Sequence, residues 1–397
     1  MLGDWLEGLR DADGDVDFLQ PEYMRRAGRA ARLPGPVVQA LADGAAEIGE
    51  DVRLAELARQ FHRELFVDKA NAGEVNKRLL ASGPRSGMLA AVVYMGALPQ
   101  MIDRYRERGI SEQVWADTLS DMAIWMERYK TLKGEWGLGQ VGWLIHHMSA
   151  QLFRLGRLQF IFAEYNRPFL AFRRRTGEDV AVLCEQGVRF RADGKADGTN
   201  GIEDPENGWV SSYSFDGEFH TGNPVHPRGA AVRKTLSLPA AEWEIALRRG
   251  DTVLDVHIPE GEKLTHELCR DSYGQAVRFA QDHFPEKPFR AFVCSSWLLS
   301  PQWPELLSPD SNIVRFLSDY YITPVKSDES QTLERVFGFG TTLADLPRAP
   351  RDTTLQRIVF DYLTAGGHIH GAAGFILKDD WHKGTVAAAE TAADDPV

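Results

Sequence analysis

The sequence predicts an α+β protein, with a helical N-terminal half followed by a mixed domain of strands and helices. Three observations carry that reading. From residue 21 to 155, apolar residues recur at three- and four-residue spacing. Beyond that point the chain breaks into short apolar runs separated by Gly, Pro, Asn and Asp. The last third alternates strand-like and helix-like segments, and helices followed by mixed strands favour α+β, or mixed α/β, behind a helical layer.

The bulk properties narrow the function. At 397 residues the chain is long enough for two or three domains. Its 43% hydrophobic and 26% charged content excludes wholesale disorder. A formal net charge of -12 argues against nucleic acid as a partner, because phosphates require a basic face. No apolar run reaches the roughly 18 residues of a membrane span, so no membrane partner is expected. The opening stretch MLGDWLEGLRDADGD lacks the basic and apolar regions of a signal peptide. Cys184, Cys269 and Cys294 are scattered and form no C-x-x-C pair, so neither a disulfide framework nor a structural zinc site is expected. Together these features suggest a cytoplasmic protein. FRRR and RFRADGK are local basic stretches that could meet a phosphorylated cofactor, but they read as solvated strand and turn positions.

In chain order, GPVVQALADGAAEIGED, RLAELARQFHRELF, MLAAVVYMGALPQMIDRYRERG and EQVWADTLSDMAIWMERYKTL belong to a set of six or seven helices. Gly109 ends one helix and Ser111 caps the next. LGRLQFIFAEYN marks the change of character, and FLAFRRRTGEDVAVLCEQGVRFR reads as a hairpin turning at Thr176-Gly177-Glu178. Residues 192–208 form a surface loop rich in turn formers. WVSSYSFDGEFHTGNPVHPRGAAVRKTLSL is a second antiparallel pair joined through Gly-Asn-Pro, and LPAAEWEIALRRG a short helix closing on Gly250. VLDVHI is a buried strand, followed by a Pro-Gly turn, an amphipathic helix and a second buried strand, AFVCSSWLL. SPDSNIVRFLSDYYI is a helix capped by Ser311 or Asp310, ITPV and TLERVFGFG are strands, and TTLQRIVFDYLTAGG is a helix with a glycine C-cap. The tail from Lys383 is small, acidic and expected to be disordered.

The strand-turn-helix-strand unit concentrates the candidate chemistry, because open α/β sheets bind ligands outside the carboxyl ends of their strands. His257 near the end of VLDVHI is the leading candidate, as an imidazole can take a proton near neutral pH. Cys294, Ser295 and Ser296 interrupt the second strand. Cys294 could be a thiol nucleophile and Ser296 a polar contact, although a cysteine inside a strand usually only packs. His146 and His147 are adjacent on a helix, point to different faces and do not form a chelating pair. His368 and His370 in GGHIHGAAG, and His220 and His226 in HTGNPVHPRG, sit in glycine-rich or turn-rich loops. No metal is expected. Motifs for NTPases, zinc proteases, serine hydrolases and dinucleotide binding lack a fitting context.

GNPVHPRG, LPAAEWEIALRRGDTVLDVHIPEG, SYGQAVRFAQDHF, CSSWLLSP, SNIVRF and LPRAPRDTTLQR, in that order, closely resemble bacterial acyltransferase-domain proteins. Those proteins join a helical N-acyltransferase N-terminal domain to a GNAT-like C-terminal domain, and LGRLQF is similar to their transition. The resemblance runs over residues 33–375. It implies a helical domain at 1–155, a GNAT-like domain with a splayed, largely antiparallel sheet at 156–382, and a tail at 383–397. It further implies an acyl-CoA donor and a small-molecule amine acceptor. VLDVHI, with Val256 and Ile258, would lie along the pantetheine arm. Gly261, Glu262 and the following helix would meet the pyrophosphate. His257, directly or through water, would be the base, with Cys294 the alternative nucleophile. Ser296 and Asn312 would be polar pocket contacts and Trp297 a wall.

One segment departs from the family's pattern. In place of Q/R-x-x-G-x-G/A stands HIPEGEKLTHE, with one glycine, a proline and two glutamates whose charge opposes a diphosphate. That leaves room for an acyl-carrier-protein donor, an altered CoA pose, or a fold kept as a non-catalytic scaffold. A hydrolase using Cys294 with His257 is a further alternative. The helical half either buttresses the sheet or lines the acceptor pocket with residues such as Trp143 and His147.

Overall fold

A computed structural model describes residues 17–383. The acidic N-terminal stretch and the tail after Lys383 lie outside those residues. The described chain forms two units: one runs through Ile161 and includes Ile258–Gly261 and Phe279–Pro285, and the other comprises Phe162–His257, Glu262–Arg278 and the chain from Glu286.

Eight α-helices fill the first unit among the described residues: α1 Pro21–Ala30, α2 Gly35–Glu50, α3 Val52–His62, α4 Ala72–Leu80, α5 Ser86–Gly96, α6 Leu98–Glu107, α7 Glu112–Lys133 and α8 Val141–Met148. Helix α5 is almost uniformly apolar and buried on all sides, so it forms the centre of the bundle. Asp51 caps α3 by accepting from the amides of Arg53 and Leu54, and Asn71 caps α4. Ser111 occupies the N-cap of α7 without a side-chain cap bond, while Gly134 at φ 79° closes that helix. The Tyr94 hydroxyl lies 2.9 Å from Asn76 Oδ1 and 2.8 Å from the Val141 carbonyl, tying α5 to α4 and α8. Strands β1 Leu152–Leu155 and β2 Leu158–Glu164 form an antiparallel hairpin, with Leu155 opposite Leu158. Arg154 of β1 docks on α7 through its amide to Thr118 and its guanidinium to Ser120. No described helix is long and apolar enough to cross a membrane.

The second unit is built in layers. Its main sheet contains β9 Thr252–His257, β10 Ala291–Ser296, β12 Ala372–Leu377 and β11 Tyr321–Thr323, in that spatial order. Strands β9 and β10 run parallel, which requires a crossover, supplied by α9 His266–His283. The β10–β12 and β12–β11 pairs are antiparallel. A second sheet of β3 Phe169–Arg174, β4 Val180–Cys184 and β8 Trp243–Leu247 packs on one face of the main sheet. Phe169, Val182 and Leu247 there meet Val253, Tyr321 and Phe375. Its far face, with Leu170, Phe172 and Trp243, meets the sheet of β5 Tyr213–Phe215, β6 Phe219–Gly222 and β7 Leu236–Pro239.

Several elements differ from expectation. LPAAEWEIALRRG contains strand β8, not a helix: Ala, Glu and Arg favour helices, but Trp243 and Leu247 gain more by burial in two cores. A bulge between Ile245 and Leu247 moves the strand from one core to the other. TLERVFGFG lies largely in helix α11, Ser330–Phe337, which buries Thr332, Leu333, Val336 and Phe337 on one face before Gly338. The expected second pair is three-stranded, because Asp216–Gly217–Glu218 makes an additional hairpin turn. The loop at 192–208 is strapped to the domain: Asn200 Nδ2 donates to Glu329 Oε2 and to the Ile369 carbonyl. The strand read as AFVCSSWLL stops at Ser296, and Trp297–Leu299 is a 3-10 turn. After the GGHIHG loop the chain enters β12, an inner strand buried at every position and therefore without alternation. A Cβ at its Gly374 would come within 3.0 Å of Tyr320 Cβ.

The first unit buries a carboxylate beside a histidine. Asp121 of α7 accepts from the Trp143 indole N–H at 3.1 Å, and His147 Nε2 lies 3.1 Å from the same oxygen. His147 is fully buried and Asp121 is 2% exposed. Burial raises the Asp121 pKa, but the hydrogen bond and charge of His147, with help from Gln159 and Trp143, outweigh it and leave the carboxyl below its ordinary value. Removing one partner of such a pair strands the other, so Asp121→Ala should cost about 3–5 kcal/mol, read from the urea midpoint. A folded-state pKa below the unfolded value means the pair's contribution is complete at neutral pH. It fades as the pH drops below about 3.9 and through the folded value. An Asp121→Ala midpoint equal to that of the wild type would contradict this account.

Candidate active site

The site begins where two parallel strands part. The β9–β10 ladder pairs Leu254 with Phe292 and Asp255 with Val293, and Val256 and His257 extend past it. Side chains alternate along a strand, so Asp255 and His257 share one face. They meet there, with His257 Nε2 3.2 Å from Asp255 Oδ2 and both side chains about one-third exposed, at 32% and 35%. The contact is at ion-pair distance without hydrogen-bond geometry, so Asp255 acts on the imidazole through its charge. Beside Asp255 lies a small pocket of about 20 Å³, lined by residues including Tyr165, Arg167, Asp255, Val293, Cys294 and Phe375. That is room for a water molecule, not for an acyl chain.

The neighbouring strand presents opposite faces in turn. Val293 and Ser295 share the face of Asp255 and His257, whereas Phe292, Cys294 and Ser296 point to the other side. Phe292 packs there against Tyr273 of α9 at 4.9 Å, and Tyr273 bonds Tyr320 between hydroxyls at 2.7 Å. Cys294 is enclosed in this layer. Burial drives its thiol well above the ordinary range and the nearby Asp255 charge adds to the effect, with Arg167 opposing. The Cys184 thiol, buried in the other core, is pushed up to about 12.

The remaining expected site residues are dispersed. Val256 is buried on the face away from His257, and Ile258 is half-buried. The Ser296 hydroxyl accepts from the Leu298 amide at 3.2 Å and so caps the 3-10 turn. Trp297 gives its amide N–H to Gln331 and its carbonyl to the Trp303 indole, and the two indole rings meet edge-on at 5.7 Å. Asn312 is the exposed first residue of α10, Asn312–Ser318, and Ser311 does the capping. Gly261, at φ +121°, and Glu262 are exposed. In the first unit, Arg128 meets Glu260 at 2.7 Å and Arg157 donates to the Pro259 carbonyl at 2.8 Å, so the turn's first glutamate is neutralised.

Most of the other candidate histidines have structural partners. His146 contacts Gln151, and His220 bonds the Tyr213 hydroxyl at 2.8 Å and stacks on Phe215, burial lowering its pKa. His226 accepts from the Arg228 amide. His370 is buried between Gln302 and the Gly371 carbonyl, its pKa lowered chiefly by burial, and His368 is exposed. Among the described residues, no group of three or more His, Cys, Asp or Glu is placed to hold a metal ion. The two basic stretches are engaged by carboxylates: Arg173 by Asp380, Arg175 by Glu244, Arg189 by Asp197 and Arg191 by Asp193. Two groups escaped the sequence reading, Asp255 and a second pair in which His266 Nε2 lies 2.9 Å from buried Asp319, whereas Ser295, named there only with its neighbours, is the exposed member of its strand. The spacing Asp-x-His inside a strand was the available signal for the first.

Comparison with known proteins agrees with this architecture. An acyltransferase with decanoyl-CoA and teicoplanin bound shares 22% identity over 90% of this chain and 88% of that chain, with a TM-score of 0.60. An acyltransferase with CoA and 10C-teicoplanin bound shares 22% over 95% of this chain and 94% of that one, with a TM-score of 0.61. An acyltransferase mutant with octanoyl-CoA bound gives 22%, 95%, 94% and 0.60. At that identity the likeness is one of fold. No curated protein matches the chain. The family model of the N-acyltransferase N-terminal domain matches residues 23–150, and that of the GNAT-like C-terminal domain matches residues 152–376. The chain belongs to the family defined by this GNAT-like C-terminal domain, here preceded by an N-acyltransferase N-terminal domain.

Proposed function

We propose that this protein is an acyltransferase that moves an acyl group from acyl-CoA to the amine of a small-molecule acceptor. The observation that carries the reading is the Asp255–His257 dyad at the carboxyl end of β9, just past the point where the ladder to β10 ends. The fold-level relatives, crystallised with acyl-CoA and with teicoplanin, support the donor class and a small-molecule acceptor. The exposed Gly261 and Lys263, together with the pairing of Glu260 by Arg128, favour a CoA diphosphate over a carrier protein as the donor's anchor.

In this mechanism the amine nitrogen attacks the thioester carbonyl carbon. His257 takes the proton that the amine sheds as the C–N bond forms, and the Asp255 carboxylate, 3.2 Å from Nε2, steadies the imidazolium by its charge. The C–S bond then breaks and the sulfur leaves with the bonding electron pair. Backbone amides of the parting strands steady the oxyanion. Val256 and Ile258 serve through their backbone along the pantetheine arm, and Gly261 and Glu262 border the diphosphate. Three buried thiols outside any disulfide suit a reducing compartment, and the cytoplasm is the proposed location.

A native-state ligand at a hundred times its Kd adds about 2.7 kcal/mol of stability, so decanoyl-CoA should raise the melting temperature. His257→Ala should lower kcat/KM by about 10²- to 10⁴-fold, and Asp255→Asn should also reduce it with CoA binding retained. Thermal indifference to acyl-CoA and acyl-carrier protein alike would defeat the transferase reading. Binding without amine-dependent thiol release would leave a scaffold.

The Cys294 hydrolase reading makes a separate forecast. Its thiol is raised by burial and lies on the opposite face from His257, so iodoacetamide at pH 7 should leave Cys294 unlabelled in the folded protein. Rapid labelling that abolishes turnover would restore that reading.

A further inference from the structure

Ser295 is exposed within a strand flanked on both sides, while Cys294 and Ser296 beside it are buried. The β9–β10 ladder pairs Leu254 with Phe292 and Asp255 with Val293 and does not reach Ser295. On its other side stand Ala373 and then Thr323, at the same level and on the same face. Ala373 offers only a methyl group. The Ser295 hydroxyl has no hydrogen-bond partner among the described residues, and His257 occupies the corresponding level of β9 on that face. Ser296 cannot serve in its place, because its hydroxyl caps the 3-10 turn and its side chain faces the other layer.

We propose that Ser295 is a catalytic residue that donates a hydrogen bond to the departing sulfur of the acyl donor. The assignment rests on the acyltransferase reading and extends it. His257 and Ser295 would flank the thioester across the parted strands, one receiving the amine's proton and the other facing the leaving group. As the C–S bond breaks, its electron pair goes to sulfur and the thiolate leaves hydrogen-bonded to the hydroxyl. The thiolate then takes a proton from solvent, and Ser295 keeps its own. No covalent acyl-serine forms.

A hydrogen bond to a developing charge changes a rate by about 10- to 100-fold. Ser295→Ala should therefore lower kcat with decanoyl-CoA by that factor, with KM and melting temperature close to wild type, and Ser295→Thr should recover most of the loss. The deficit should shrink with an aryl thioester, whose more acidic thiol needs less help to leave, and a merely structural role would not produce that dependence. Undiminished kcat in Ser295→Ala, an equal deficit with both donors, or an acyl adduct on Ser295 in intact mass spectra would each overturn the assignment while leaving the transferase reading intact. Absence of any wild-type transfer would overturn both.

Discussion

The functional half of this molecule turns on how long two parallel strands stay together. Backbone amides and carbonyls in a sheet interior must be paired, so strands separate only where something else can use the exposed groups. Here β9 and β10 pair at Leu254–Phe292 and Asp255–Val293, and β9 continues beyond that ladder to His257. The separation opens the polar groups of the strand ends and gives an inner-strand serine access to solvent. The layered core behind it, from Val253 and Phe375 through Phe169 to Leu247, holds the strands' other ends rigid.

Three His–Asp pairs stand out among the described residues, and burial sorts them. His147–Asp121 is sealed, with side chains 0% and 3% exposed, and every neighbour there serves the pair itself. Its role is structural. His266–Asp319 is intermediate: the carboxylate is buried at 4% while the imidazole, at the first residue of α9, is 23% exposed. His257–Asp255 is the most open and alone stands at the end of a parallel strand. A general base must exchange protons with solvent during each turnover, so the most open pair suits catalysis and the sealed one suits stability.

Sequence periodicity revealed the helical half and the β9–α9–β10 unit, because these segments are long and their apolar spacing is regular. It failed where tertiary burial outweighed local preference. The Ala- and Glu-rich β8 reads as a helix until its two tryptophan- and leucine-lined cores are known. Strand β12 was hidden for the opposite reason: buried on both faces, preceded by Gly371 and opening with two alanines, it shows no alternation and resembles a loop. His257 was legible because a polar residue near a strand end is unusual. Ser295 and Ser296 could not be told apart, since choosing between adjacent residues requires the register with β9, which only the pairing of Asp255 with Val293 supplies.

The turn after β9 shows how a local sequence can mislead about charge. Read alone, PEGEK places two carboxylates where a diphosphate-binding turn should offer amides. In the first unit, Arg128 of α7 meets Glu260 at 2.7 Å, so that carboxylate has a counter-charge. Arg157 secures the adjoining Pro259 carbonyl, which holds the turn's backbone in place without a run of glycines. Exposed Glu262 then remains beside exposed Lys263. Side chains fixed on a helix and a hairpin thus order this turn, although they lie more than a hundred positions away in sequence.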